Sequence, residues 1–191
     1  GPERLVVNLR TFDCVTFVES MLAMARVVRA GGHRYSDFTR ELQRIRYRDG
    51  KLEGYPSRLH YFSEWIANNT SKGVVRDVTR DLGGVQDPEP INFMTSNRGS
   101  YKQLAADDVF EQIKAMETRL TAQPRFVIPE NSIAAAAKDI RDGDVIAAAT
   151  NVQGLDIAHT GIALWVNGKL HLMHAPLVGS VVEISERPLA D

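Results

Sequence analysis

Ile157-Ala158-His159-Thr160-Gly161-Ile162-Ala163-Leu164-Trp165-Val166-Asn167-Gly168-Lys169-Leu170-His171-Leu172-Met173-His174-Ala175-Pro176 is the stretch that decides the fold. Two apolar runs flank Asn167-Gly168, the strongest short-range hairpin signal, because both turn residues must adopt positive φ. A two-residue turn sets Val166 opposite Lys169, which places Gly161 opposite His174 and His159 opposite Pro176. Side chains alternate along a strand, so His159 and Gly161 share a face. His159 then meets His174 as a diagonal neighbour, roughly 7–8 Å away at the backbone. Gly161 is expected to leave space between the two rings. His171 falls opposite Leu164, on the other face. The apparent metal spacing His171-x-x-His174 is therefore split across the sheet, and no carboxylate is placed as a further ligand, so no metal is expected. A one-residue bulge would upset this parity.

Two histidines on one face need a third group before they suggest chemistry. The only cysteine lies in Asn8-Leu9-Arg10-Thr11-Phe12-Asp13-Cys14-Val15-Thr16-Phe17-Val18-Glu19. Apolar residues recur after it at helical spacing (Val15, Val18, Met21, Leu22, Ala25, Val28), and the pattern ends at Gly31-Gly32. Asp13 or Thr11 can cap this helix, which puts Cys14 in its first turn. Free backbone amides and the helix dipole favour an anion there, so a thiol ionises more readily than at its ordinary pKa of about 8.5. A small buried cysteine is the plainer reading of Cys14, and an ordinary half-buried strand residue that of each histidine. Together they form the parts of a nucleophile site. Cys14 attacks, one histidine takes its proton, and the second holds the first in orientation.

Around these two stretches the rest of the chain arranges itself as α+β. A helix starts at Ser36 with Phe38, Leu42 and Ile45 on one face. Residues 45–53 read as a hairpin turning at Asp49-Gly50, and a short helix runs through Trp65 and Ile66. Residues 73–82 are strand-like, Ala105 to Leu120 is an amphipathic helix, and Phe126-Val127-Ile128 is a short strand. The sequence then predicts a helix over 132–140, a strand over 144–150 and a last strand over 181–184. The whole chain, 1–191, reads as a single domain. Its core is expected from residues 1–33 and 131–191, with a helical elaboration over 34–130 and the cysteine helix packed on a C-terminal antiparallel sheet.

Composition excludes several classes. The 191 residues are 43% hydrophobic and 25% charged, as in an ordinary globular domain. Lys and Arg number 23 against 24 Asp and Glu, a net charge of −1, which offers no bulk attraction for nucleic acid or anionic lipid. No apolar run approaches membrane-spanning length, and one cysteine allows no internal disulfide. No signal peptide is visible in the sequence.

Three blocks carry a resemblance: Asn8 to Glu19, Gly54-Tyr55-Pro56-Ser57-Arg58-Leu59-His60-Tyr61, and Gly154-Leu155-Asp156-Ile157-Ala158-His159-Thr160-Gly161-Ile162, with His174-Ala175 beyond them. Together they resemble the NlpC-type, papain-like superfamily of cell-wall hydrolases, and within it the N-acetylmuramoyl-L-alanine amidase-like branch. Pro176 departs from the small residue usual after His-Ala. The resemblance implies a papain-like core and a cysteine amidase without a cofactor. Its bond would be the amide between N-acetylmuramic acid and L-alanine in peptidoglycan fragments, small anhydro-muropeptides in particular. It also implies an exported, periplasmic location. Cys14, His159 and His174 become the expected catalytic residues, and the Cys14 amide an oxyanion donor. Arg58, His60, Tyr61 and Asp156 become the expected substrate contacts, although Arg58 can pair locally and Asp156 can brace its loop. Glu19 is expected to pair with Arg10 or Arg58. The rivals are an endopeptidase cutting D-glutamyl-diamino acid bonds, an acyltransferase on the same core, and a non-enzymatic wall-binding module. Oligomeric state is not legible.

Overall fold

The computed structural model describes residues 2–176 and 181–190. In chain order its main elements are helices α1 (Cys14–Arg29), α2 (Tyr35–Arg46) and α3 (Phe62–Ser71), strand β1 (Val85–Asp87), helices α4 (Phe93–Ser96) and α5 (Asp107–Ala122), strand β2 (Arg125–Val127), helix α6 (Ile133–Ala136), and strands β3 (Val145–Ala149), β4 (Ile157–Val166), β5 (Lys169–His174) and β6 (Glu183–Ile184). The last four form an antiparallel sheet in the order β3-β4-β5-β6, and β1 pairs with β2 in a separate antiparallel ribbon. The chain is thus a mixed α/β fold with antiparallel sheets.

α1 starts where it does because Asp13 caps it. Asp13 has extended backbone, its Oδ1 accepts from the Thr16 amide at 2.7 Å, and the Thr16 hydroxyl accepts from the Asp13 amide at 3.0 Å. This reciprocal box satisfies two donors otherwise left open at the helix start, and loss of such a cap costs about 1 kcal/mol. Thr11 is not the cap. Arg26 and Arg29 stand in the last turn, where cations offset the helix dipole.

The core is built around α1. Phe17, Val18 and Ala23 pack with Phe38, Leu42 and Ile45 of α2 and with Phe62 and Trp65 of α3, whose rings stack at 4.7 Å. Val145, Ala147, Ile162 and Met173 close this cluster from the sheet, so α1 is sandwiched between helices and strands. Each fully buried Leu or Ile here, such as Leu42 and Ile45, stabilises the fold by roughly 1.5–3 kcal/mol. A second cluster joins Tyr61, Ile91, Met94, Leu104, Ile113, Met116 and Leu120, and a third lies beneath Ala163 and Leu170. Hydrophobic packing therefore does not divide at residue 34. α2 and α3 share the core of α1, and only the later part of 34–130 has a cluster of its own.

Four expected elements take another form. The hairpin over 45–53 is absent: α2 runs to Arg46, and Tyr47 pairs with Arg58 in an isolated bridge. Asp49 and Gly50 do take positive φ, but they close a 3-10 turn that Asn68 holds through the Asp49 amide and carboxylate. Residues 73–82 form turns, not a strand. The Val74 amide bonds Asn69 O at 2.8 Å and the Gly84 amide bonds Thr79 O at 2.9 Å, so backbone groups close locally while the strand begins at Val85. The helix over 132–140 is split into α6 and flanking 3-10 turns at Glu130–Ser132 and Ala137–Asp139. The last strand is confined to Glu183–Ile184.

Candidate active site

The hairpin has the predicted register: Val166 opposite Lys169, Leu164 opposite His171, Ile162 opposite Met173. Asn167 and Gly168 carry the positive φ that the turn requires, 51° and 78°. His159 and His174 meet directly. His159 Nε2 and His174 Nδ1 are 2.7 Å apart, and the rings lie edge to face with centroids 4.9 Å apart. His171 is held apart, its Nδ1 on Ser185 O at 2.7 Å. Among the described residues no three metal-ligating side chains converge.

Gly161 has a different task from the one expected. A Cβ there would stand 2.6 Å from Leu172 Cγ and 2.7 Å from Met173 O, so the glycine admits Leu172 across the hairpin. A bulge at Ala148/Ala149 also bends the start of β4, where His159 lies opposite Ala148. Such bulges re-aim side chains next to functional sites.

Cys14 is the first residue of α1 and is half-buried, and its helix packs against β4 and β5. Burial is the main cause that lowers the pKa of His159, and the charge of His174 adds to it. Both effects keep the ring neutral, the form that can accept a proton. With Nε2 turned to His174, Nδ1 is the nitrogen left for a thiol.

The loop block divides. His60 is half-buried against Tyr55, with ring centroids 4.3 Å apart and its Nε2 on Tyr55 O at 2.9 Å. Burial lowers its pKa to about 4, so the ring is neutral and serves to brace the loop. Tyr61 is a core residue, 2% exposed, and this corrects its expected place in substrate contact. Its hydroxyl donates to Glu117 at 2.7 Å and accepts from the Met94 amide at 2.8 Å. Asp156 is likewise committed. It is buried and accepts from the Ser63 amide at 2.7 Å, which satisfies the start of α3, and from its neighbour Ile157 at 2.8 Å. Arg58 differs from all three. Its backbone is fixed by the bridge to Tyr47, yet its guanidinium makes no hydrogen bond or ion pair among the described residues. Its charge is felt by Glu19, Tyr47, Tyr55 and His60.

Glu19 pairs with neither Arg10 nor Arg58. Its Oε2 accepts from Arg46 Nε at 2.6 Å, and Arg46 also donates to Val6 O at 2.6 Å, tying the N-terminal segment to α1. Arg46 was invisible as a partner because it lies 27 residues away on the inner side of the α2 terminus. Glu183, which stands opposite His174, was missed because the sequence of 175–182 does not fix the register of the last strand against β5. A groove of about 640 Å³ lies elsewhere, between α4 and α5, lined by Asn92, Thr95, Phe110 and Lys114 among others.

The same fold recurs in solved structures from several bacteria. A Bacteroides uniformis N-acetylmuramoyl-L-alanine amidase is 40% identical with a TM-score of 0.94, over 100% of this chain and 80% of that one. A Bacteroides fragilis protein carrying a xylanase name is 37% identical with a TM-score of 0.93, over 99% of this chain and 84% of that one. A Legionella pneumophila protein at 21% identity and a TM-score of 0.65, over 91% and 68% of the two chains, shares the fold. No curated protein matches. Residues 1–191 match a single family throughout, and the chain belongs to it: the AmiA-like, N-acetylmuramoyl-L-alanine amidase-like family.

Proposed function

We propose that this protein is a cysteine amidase of papain-like, NlpC type that hydrolyses the amide between N-acetylmuramic acid and L-alanine in peptidoglycan fragments, small anhydro-muropeptides in particular. The observation that carries the reading is the contact of 2.7 Å between His159 Nε2 and His174 Nδ1, which leaves His159 Nδ1 free as a base. Family membership and the name of the Bacteroides uniformis relative support the substrate class.

In this reading the Cys14 proton passes to His159 Nδ1 as sulfur attacks the lactyl carbonyl carbon. The Cys14 backbone amide, open at the capped helix start, faces the oxyanion. Collapse breaks the C–N bond, and the alanine nitrogen leaves with the proton from His159. Water, deprotonated by His159, then cleaves the thioester and restores the thiol. Arg58, with its uncommitted guanidinium, takes a carboxylate of the substrate. The core shared with α1 lies against Ile162 and Met173, whereas regular alternation puts His159 on the side of Gly161. In this reading His159 reaches Cys14 from the start of β4, beside the irregular register at Ala148/Ala149.

Glycoside cleavage, suggested by the xylanase name of one relative, calls for two free carboxyl groups flanking the bond. Among the described residues each buried carboxylate has a partner on at least one oxygen: Glu19 with Arg46, Glu64 with Arg48, Glu117 with Tyr61, and Asp156 with backbone amides. No helix among the described residues is long and apolar enough to cross a membrane. The substrate class supports an exported protein.

Product analysis on defined anhydro-muropeptides tests the proposal. Free muramic sugar and an intact stem peptide are expected, with turnover abolished in Cys14→Ala. Shortened peptides would mean the endopeptidase instead, and turnover that survives in Cys14→Ala would remove the cysteine from the mechanism.

A further inference from the structure

One more charged group stands behind His174. β6 pairs with β5 so that Glu183 lies directly opposite His174. Side chains of directly opposed residues share a face. Here Glu183 Oε1 lies 3.9 Å from His174 Nε2, the ring nitrogen turned away from His159. The order in space is therefore His159, His174, Glu183, with both nitrogens of the middle ring assigned a neighbour.

We infer that Glu183 is a positioning residue that selects the tautomer of His174 and, through it, the nitrogen on which His159 acts as base. This rests on the amidase reading above. A neutral imidazole has one N–H and one acceptor nitrogen. For His159 Nδ1 to accept the thiol proton, the neutral ring must hold its own proton on Nε2. That proton points at His174 Nδ1, which must then be the acceptor, so His174 must carry its proton on Nε2. A carboxylate favours a proton on the nitrogen it faces, and Glu183 faces Nε2. Remove that charge and His174 is free to hold its proton on Nδ1. It would then donate to His159 Nε2 and move the neutral His159 proton to Nδ1, where it opposes attack. At 3.9 Å, with the Glu183 side chain 46% exposed, the contact is one of charge and not a hydrogen bond. A moderate effect follows, about three- to tenfold in kcat.

Glu183→Leu, Glu183→Gln and His159→Ala test this, read by histidine ¹⁵N resonances and by steady-state kinetics on an anhydro-muropeptide. Imidazole ¹⁵N shifts separate the two tautomers without any turnover. Single substitutions of His33, His60 and His171 remove those signals and leave the dyad. The expected wild-type spectrum shows the Nε2–H form at both His159 and His174. Glu183→Leu should mix the tautomers at both rings and lower kcat with KM unchanged, while Glu183→Gln, which keeps an acceptor oxygen, recovers part of the loss. Unmoved tautomers and unmoved kcat in Glu183→Leu overturn the inference. So does a variant that loses thermal stability alone, since Glu183 would then only tether β6. If Glu183→Leu leaves the dyad unmoved while His159→Ala abolishes turnover, the amidase reading stands and only the role of Glu183 falls. A neutral wild-type His159 with its proton on Nδ1 overturns the inference and the role of His159 as base, while product analysis still decides the amidase reading on its own.

Discussion

Arg46→Met removes the cation from a pair that burial has almost sealed. Arg46 is 3% exposed and Glu19 1%, and their contact is 2.6 Å. Burial raises the pKa of Glu19, and Arg46 opposes that rise through its charge and its hydrogen bond. Without Arg46 the carboxylate is buried alone and Val6 O also loses its donor. Breaking such a pair by removing one partner costs about 3–5 kcal/mol. For a domain of this size that is a fall in Tm of about 6–20 °C. The pH dependence has a definite sign. With its folded pKa above its unfolded value, Glu19 holds more protons in the folded state within that window. Stability is then present at acid pH and lost as pH rises through the folded pKa. The deficit of Arg46→Met should be largest at neutral pH and shrink on acidification, as Glu19 takes up a proton. Adding Glu19→Leu removes the stranded carboxylate and should recover most of the loss. Urea and thermal unfolding at several pH values measure all of this. A deficit below about 1 kcal/mol at neutral pH, or one that grows on acidification, would refute the argument.

Two further predictions separate structure from catalysis. Tyr61→Phe leaves the buried Met94 amide without an acceptor and removes one donor from Glu117. It should cost about 1–3 kcal/mol in unfolding experiments with KM for muropeptide unchanged. A raised KM at wild-type stability would restore Tyr61 to the substrate site. Gly161→Ala forces a Cβ against Leu172 and the Met173 carbonyl, the second of which has little room to give. Overpacking of about 1–3 kcal/mol should lower Tm by about 2–12 °C and reduce kcat as β5 and His174 shift. Wild-type Tm and kcat would show that the hairpin accommodates a methyl group there.

Some residues were readable from local chemistry alone. Asn167-Gly168 admits one kind of turn, and once the turn is set the register of β4 and β5 follows, together with the meeting of His159 and His174. Asp13 or Thr11 ahead of an apolar run at helical spacing announces a helix start, and so the place of Cys14; the box with Thr16 settles the cap on Asp13. The hairpin expected at Asp49-Gly50 shows the limit of the same signal. The residues take the turn conformation, but Tyr47 finds its partner in Arg58 and Asn68 claims Asp49, so no second strand forms.

The sequence by itself determined the α+β class, the helix that begins at Cys14, and the face shared by two histidines, because each rests on capping, turn geometry or strand alternation within a few residues. Tertiary structure decided the rest. It buried Tyr61 and Asp156, left the Arg58 guanidinium open, joined Glu19 to Arg46, and set Glu183 behind His174. Those outcomes depend on which distant segments compete for a buried charge or an open amide. The competition is settled by packing, where a polar group must find a partner among whatever the folded chain brings near.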